Sequence, residues 1–456
     1  MKRSLIILTL STLLLGSCKK FLDVNDDPNN PLDVQESLIL APSQVNIADN
    51  VFGGNAAINV QYFLQTIAPN QENPGNWSYR LFNSYFDGDW NSFYVVSLNN
   101  LRLLNEKATA SGKTNYAGIA KIMSAYVLCT ATDIWGDVPY SQGFKGTENL
   151  TPTYDAQKDV YQSVQDLLTA GISDIEKAGV ITPAGDDYFY GGDMEKWKKL
   201  AYTLQARYFM HLAKAPGNTA AAQADKALQA LSKGMESNDD DLKFVYEGIN
   251  TWGQAFDPIS TAVLSSTFVN KLVAANDPRL PKLVKKAEGT GLYNGRTVGD
   301  PVGSLDQYSY PSDWVAGTGA ANYLVTYSEA LFLKAEATFI KSGAAAAEPF
   351  YIQAIESHFS KLGFDLNAAA VKTYIASRSL TDANAIQRIM EEKSIANFLN
   401  IENFNDWRRT GFPAITKVNG ALSEIPRRLL YPQSELLSNS QPQHSSKVID
   451  KVWWDN

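Results

Sequence analysis

Trp197, Leu200, Ala201, Leu204, Tyr208 and Leu212 return every three or four residues between Glu195 and Lys214. That spacing lines them along one face of an α-helix. A second stripe has the same period: Tyr161, Val164, Leu167, Leu168, Gly171, Ile172 and Ile175. Such a helix is stable only when its stripe is buried against another element, so the chain needs helical neighbours in turn. Asn322 to Lys341 reads as a further helix, with Ala330, Ala335 and Ala337 allowing close approach, and Ala344 to Lys361 follows after Ser342-Gly343. Strand-like alternation is scarce. Arg279 to Val284 is one candidate, placed at an edge by Pro281.

These segments read as antiparallel helix pairs. Residues 351–363 and Thr219 to Met235 look like second helices of tetratricopeptide repeats, although no fixed period of about 34 residues emerges. The expected fold class is all-α, mostly helical, with helix above half of the residues and tetratricopeptide-like pairs separated by long irregular loops. Two stretches interrupt the pairs. Asp186 to Asp193 is a short Gly/Tyr loop, and Gly289 to Ala321 carries Pro301 and Pro311 among its glycines. Loops beyond about 15 residues usually carry function or disorder, and the aromatic residues here argue against disorder.

The N-terminus separates from this body. Lys2 and Arg3 precede the apolar run Leu5 to Leu15, which is too short to span a bilayer and suits a secretory signal. Leu13-Leu14-Leu15-Gly16-Ser17-Cys18 resembles a bacterial lipobox, in which Cys18 is acylated and becomes the first mature residue. The expected organisation is a signal peptide over 1–17, an acylated tether over 18–32 rich in Asp, Asn and Pro, and one body over 33–456. Acyl chains contribute about 0.8 kcal/mol per buried CH₂, so two or more hold a body on a membrane. Without Lys2 and Arg3, 38 basic residues stand against 48 acids, a net charge of −10. An acidic body argues against a nucleic-acid partner. After the signal no apolar run approaches twenty residues. With Cys18 acylated, Cys129 has no partner and is read as a small buried hydrophobe.

Catalytic and metal motifs are missing. His211, His358 and His444 are far apart, and no His-Glu-x-x-His, Cys-x-x-Cys, Gly-x-Ser-x-Gly or phosphate loop occurs. No cofactor and no metal site is expected, and His211 is read as a packed histidine. Asp23, Asn25 and Asp27 imitate the start of a calcium loop, but Pro28 and Val34 stand where glycine and glutamate are needed. Asp239-Asp240-Asp241 reads as a solvated turn. Asp406 with Arg408 and Arg409 reads as a salt-bridge network at a helix end.

Four blocks together resemble the SusD/RagB family of outer-membrane nutrient-binding lipoproteins, particularly its SusD-like branch. The first is the lipobox with Cys18-Lys-Lys-Phe-Leu-Asp-Val-Asn-Asp-Asp-Pro-Asn. The second is Thr132-Asp-Ile-Trp-Gly-Asp-Val-Pro-Tyr140, and the third Tyr327-Ser-Glu-Ala-Leu-Phe-Leu-Lys-Ala-Glu-Ala337. The fourth is Asn405-Asp-Trp-Arg-Arg-Thr-Gly-Phe-Pro413, continued by Ile425-Pro-Arg-Arg-Leu-Leu-Tyr-Pro-Gln-Ser-Glu435. Asn400 to Phe404 lacks the glycine and tryptophan expected before the fourth block. The resemblance implies a surface-displayed lipoprotein, anchored in the outer membrane through its lipid. Such a protein captures a nutrient, often an oligosaccharide, and acts as a lid on a TonB-dependent, SusC-like transporter. It carries no ligand residues across, since these blocks read as structural; Trp135, Tyr140 and Trp407 are expected in the packing.

Two other readings stay open: a lipid-anchored surface glycoside hydrolase, and a purely structural repeat adaptor. For ligand contact, aromatics outside helical stripes and beside polar residues are the candidates, because sugar faces stack on rings. Phe82, Phe86, Trp90 and Phe93 keep helical spacing and are assigned to the core. Trp77, Tyr79 and Arg80 lie in one loop, and Asp306, Tyr308, Tyr310, Asp313 and Trp314 in the long Gly/Pro loop. The expectation is that the two loops meet as one exposed aromatic platform, with Arg80 and Asp313 as polar contacts.

Overall fold

The computed structural model describes residues 34–71, 75–257, 262–440 and 446–455. Cys18, the tether and the calcium-like Asp23, Asn25 and Asp27 lie outside them. Helix accounts for 56% of the structure. Among the described residues, the α-helices of eight residues or more are α1 (Ser37–Asn46), α2 (Asn55–Phe63), α3 (Asn100–Ala110), α4 (Thr114–Trp135), α5 (Gln157–Glu176), α6 (Met194–His211), α7 (Ala220–Leu231), α8 (Ser266–Ala274), α9 (Tyr327–Ser342), α10 (Ala344–Lys361), α11 (Ala369–Ala376), α12 (Ala385–Ala396) and α13 (Glu402–Thr410). Each of α3 to α6 packs on the next, α7 packs on α9, and α9 on α10 and α12. That order is a solenoid of stacked helix pairs. Four short strands make two antiparallel ladders: β1 (Ile67–Pro69) with β3 (Ala262–Leu264), and β2 (Leu242–Val245) with β4 (Ala321–Val325).

The stripes predicted on α5 and α6 face the core, with Tyr161, Val164, Leu168, Trp197, Leu204 and Tyr208 buried. Asp193 starts α6 by accepting from the Glu195 and Lys196 amides. Helix α4 is long and apolar enough to cross a membrane by composition, contrary to the expectation that no such run exists. It is a core helix, 94% buried between its neighbours. Where α4 crosses α5, Gly118 and Gly171 bring the backbones together. A Cβ on Gly171 would stand 2.8 Å from Ile122 Cγ1 and 3.0 Å from the Gly118 carbonyl. Gly171→Ala gains about 1 kcal/mol of helix propensity but overpacks this crossing by about 1–3 kcal/mol. A net loss of stability is expected, seen as a thermal midpoint lowered by a few degrees; an unchanged midpoint would mean the helices separate freely.

Three sequence expectations are corrected. Arg279 to Val284 is not a strand: Leu280–Leu283 forms a helical turn with Pro281 at its start, where the missing amide costs nothing. Residues 321–325 are β4 rather than the beginning of a helix; α9 starts at Tyr327, capped by Thr326, whose hydroxyl accepts from the Glu329 amide at 3.2 Å. The Asp239–Asp241 turn is solvated only at Asp239. Asp240 accepts from the Glu236 and Ser237 amides, and Asp241 accepts from the Tyr327 amide and pairs with Lys361 at 2.8 Å.

The second, third and fourth sequence blocks converge inside the solenoid. His211 on α6 lies 2.7 Å from Glu402 of α13 and 3.4 Å from Asp133 of α4, with Tyr161 Oη 2.9 Å from its other nitrogen. Arg207 grips Glu329 at 2.7 and 2.6 Å. Lys393 and Arg409 share Asp406 at 2.9 and 2.8 Å, and Arg409 also binds Glu336. Arg408 donates to the Asp133 carbonyl at 2.7 Å and lies over the Phe404 and Trp454 rings. Asp133 further accepts from Tyr161, Asn405 and Trp454. All these charges are buried, and with His211 protonated five cations face five carboxylates. Trp135 closes α4 before Gly136, at φ 85°, and donates to the Leu430 carbonyl. Trp407 is buried and stacks on Phe404, and Cys129 is buried as expected.

Candidate binding groove

Residues 283–289 and 306–312 run side by side, which fixes the long loop. Lys285 N donates to the Tyr310 carbonyl at 2.8 Å, Ser312 N to the Leu283 carbonyl at 3.0 Å, and Gly289 N to the Asp306 carbonyl at 2.8 Å. A Cβ on Gly289 would meet the Asp306 carboxylate at 2.5 Å, so any larger residue there would displace that side chain. This ladder sets Tyr308 and Tyr310, both half-buried, in the wall of a cavity of about 440 Å³. Phe256 and Leu305 add apolar surface; Lys285, Lys286, Glu288 and Asp306 supply exposed polar groups. Tyr308 Oη accepts from the Gly303 amide at 3.0 Å, which holds the ring. Burial, with Glu288 nearby, raises the Tyr310 phenol above its usual value. The cavity thus offers aromatic surface ringed by hydrogen-bonding groups of both signs, a lining suited to a polyhydroxylated ligand.

Asp313 and Trp314 belong to the helical turn Asp313–Ala316 beside this cavity. Asp313 is exposed and pairs with Lys285 at 2.6 Å. Trp314 stacks on Tyr323, centroids 5.5 Å apart and 12° between planes, and lines a separate small cleft. The other predicted loop behaves differently. Trp77 and Tyr79 are 9% and 3% exposed. Tyr79 packs edge-on against Phe63, and the turn is tied down where Leu422 N donates to the Ser78 carbonyl at 2.9 Å. An exposed platform built from both loops is therefore not formed, because the rings of the first loop are buried. Arg80 does reach the surface, over the Phe82 ring at 5.2 Å. Phe82 itself is 45% exposed, not core, whereas Phe86, Trp90 and Phe93 are buried. Phe256, Lys285, Lys286 and Glu288 escaped the sequence reading. The Lys-Lys-x-Glu run leaving Leu283-Val284 was the one available signal.

A family model for SusD-like proteins, described as starch-binding and associating with the outer membrane, matches residues 28–432. The chain belongs to the SusD-like family. Among solved structures, a protein titled a chitin-binding protein is 26% identical to this SusD-like chain. The match covers 92% of this chain and 100% of that one, with a TM-score of 0.80. A SusD/RagB family protein of Bacteroides thetaiotaomicron is 24% identical over 93% of this chain and 99% of its own, with a TM-score of 0.78. A SusD homolog of Flavobacterium johnsoniae, titled chitin-binding, is 22% identical over 92% and 98%, with a TM-score of 0.80. These likenesses confirm the mostly helical fold expected from the stripes and the SusD-like family that the four blocks resembled. No curated protein matches the sequence.

Proposed function

We propose that this SusD-like chain is a non-enzymatic, surface-exposed outer-membrane lipoprotein that binds an oligosaccharide and passes it to a TonB-dependent, SusC-like transporter. The observation that carries the reading is the aromatic cavity at Tyr308 and Tyr310, built on a SusD-like body. Family membership supports a glycan as ligand, and the relative at 26% identity is titled a chitin-binding protein. Chitin-derived oligosaccharides therefore head the list of ligands to try. Tyr308 and Tyr310 supply the stacking faces, with Asp306, Lys285 and Glu288 for the hydroxyls. Asp313, Trp314 and Arg80 are kept as outlying contacts. Trp77 and Tyr79 act by fixing their turn.

Calorimetric titration of the folded protein with a glycan panel tests the site. Tyr308→Ala/Tyr310→Ala is expected to keep its melting temperature within a few degrees and to lose at least tenfold in affinity, about 1.4 kcal/mol. Unchanged affinity in a folded double variant rejects the site. Cys18→Ser is expected to move the protein from the membrane to the soluble fraction, and continued retention rejects the anchor. Co-isolation of the acylated protein with a large β-barrel transporter tests the partnership.

A further inference from the structure

Away from the Tyr308/Tyr310 cavity, a second groove runs past the loop that follows α4. It consists of two cavities, about 450 and 290 Å³, that share Arg102, Gly143 and Phe144. Phe144 is the ridge between them. Its backbone stands at φ 61°, a left-handed conformation that a bulky side chain rarely adopts. Strain of this kind persists only where surroundings enforce it, and it concentrates at binding sites. Here the ring is held beside Tyr94, centroids 6.0 Å apart and planes 19° apart, and Tyr94 in turn stacks on Trp90 at 4.3 Å. The result is a continuous aromatic wall. Tyr94 Oη is buried in that wall without a hydrogen-bond partner.

The cations along the groove are already matched, and its carboxylate is hydrogen-bonded. Arg102 is held by Glu106 at 2.7 Å and by Asn99, and Lys121 pairs with Asp174. The Glu435 carboxylate accepts from Tyr154 and Asn439 at 3.0 and 2.9 Å. An anionic ligand finds no uncompensated cation here. A neutral chain that stacks apolar faces on rings and exchanges hydrogen bonds with oriented polar groups fits this lining. We infer that the Phe144 groove is a second saccharide-binding site, for a neutral oligosaccharide laid across the Phe144 ridge. This inference rests on the reading of the protein as a glycan binder.

Hydroxyl-radical footprinting of the intact wild-type protein, with chitin- and starch-derived oligosaccharides as probes, examines both sites together. Sugar is expected to protect Phe144 and Tyr140 as well as Tyr308 and Tyr310, with calorimetry giving two sites per chain. Phe144→Gly removes the ring and relieves the backbone, so it is expected to stay folded, lose the second site by at least tenfold, and leave the first intact. Tyr308→Ala/Tyr310→Ala is expected to do the reverse. One site per chain, with Phe144 unprotected and Phe144→Gly silent, overturns the second site while leaving the proposed function standing. No binding of any glycan overturns both. Protection of Phe144 by a partner protein and never by sugar also overturns the second site.

Discussion

Asp133→Ala is expected to lower the free energy of unfolding by about 3–5 kcal/mol, the cost of removing one partner from a buried ionic group. Domains hold only about 5–15 kcal/mol in total, so this single change brings the protein close to unfolding at moderate temperature. The magnitude follows from what Asp133 joins. It faces His211, receives hydrogen bonds from Tyr161, Asn405 and Trp454, and so links α4, α5, α6, α13 and the C-terminal segment. Alanine leaves those donors buried and the positive charges in excess. An exposed control, Asp313→Ala, breaks the surface pair with Lys285 and is expected to cost under about 1 kcal/mol. Urea denaturation followed by tryptophan fluorescence measures both. Equal midpoints for the two variants would refute the ranking.

The second large effect is alkaline. Burial disfavours a charged His211, but the Glu402 and Asp133 carboxylates outweigh it and raise its pKa to about 9. In the unfolded chain the imidazole titrates near about 6.5. The folded state binds this proton more tightly, so its stabilisation is complete below about pH 6.5 and disappears as pH rises through about 9. The loss is on the order of 3 kcal/mol. Unfolding midpoints are expected to fall between about pH 7 and 10, and the fall to flatten in His211→Gln. An NMR titration of the ring checks the cause directly. A ring that titrates near 6.5, or a pH profile shared by wild type and His211→Gln, would sink the argument.

The helical body was legible because each stripe writes its burial into a local period. Trp197 to Tyr208 and Tyr161 to Ile175 face inward as that period requires. Where burial depends on distant chain, the pattern was silent. In β4 the polar Asn322 points inward, bonding the Ala48 carbonyl and the Tyr246 hydroxyl, so inward and outward positions could not be told by hydropathy. Thr326 with Glu329 did carry a capping signal for the true start of α9. Tyr308 and Tyr310 were found by the rule that an aromatic residue outside a stripe needs another reason to be there. The same rule misled at Trp77 and Tyr79, because tertiary packing, with Tyr79 edge-on to Phe63, buries rings that keep no helical spacing. Of the ionic centre only Asp406, Arg408 and Arg409 were legible as a salt-bridge network; Asp133, Glu329 and Glu336 sat in the blocks that carried the family resemblance, and Arg207, His211, Lys393 and Glu402 lay outside them.

The buried charges also set the order in which the molecule can be made. Asp133 waits for Asn405, 272 positions along the chain, and for Trp454, 321 positions along. Contacts so remote in sequence form late, after a large loss of chain entropy. The first half can bring Asp133, Tyr161 and His211 together, but the ionic cluster is complete only when the second half supplies Glu402, Asn405 and Trp454.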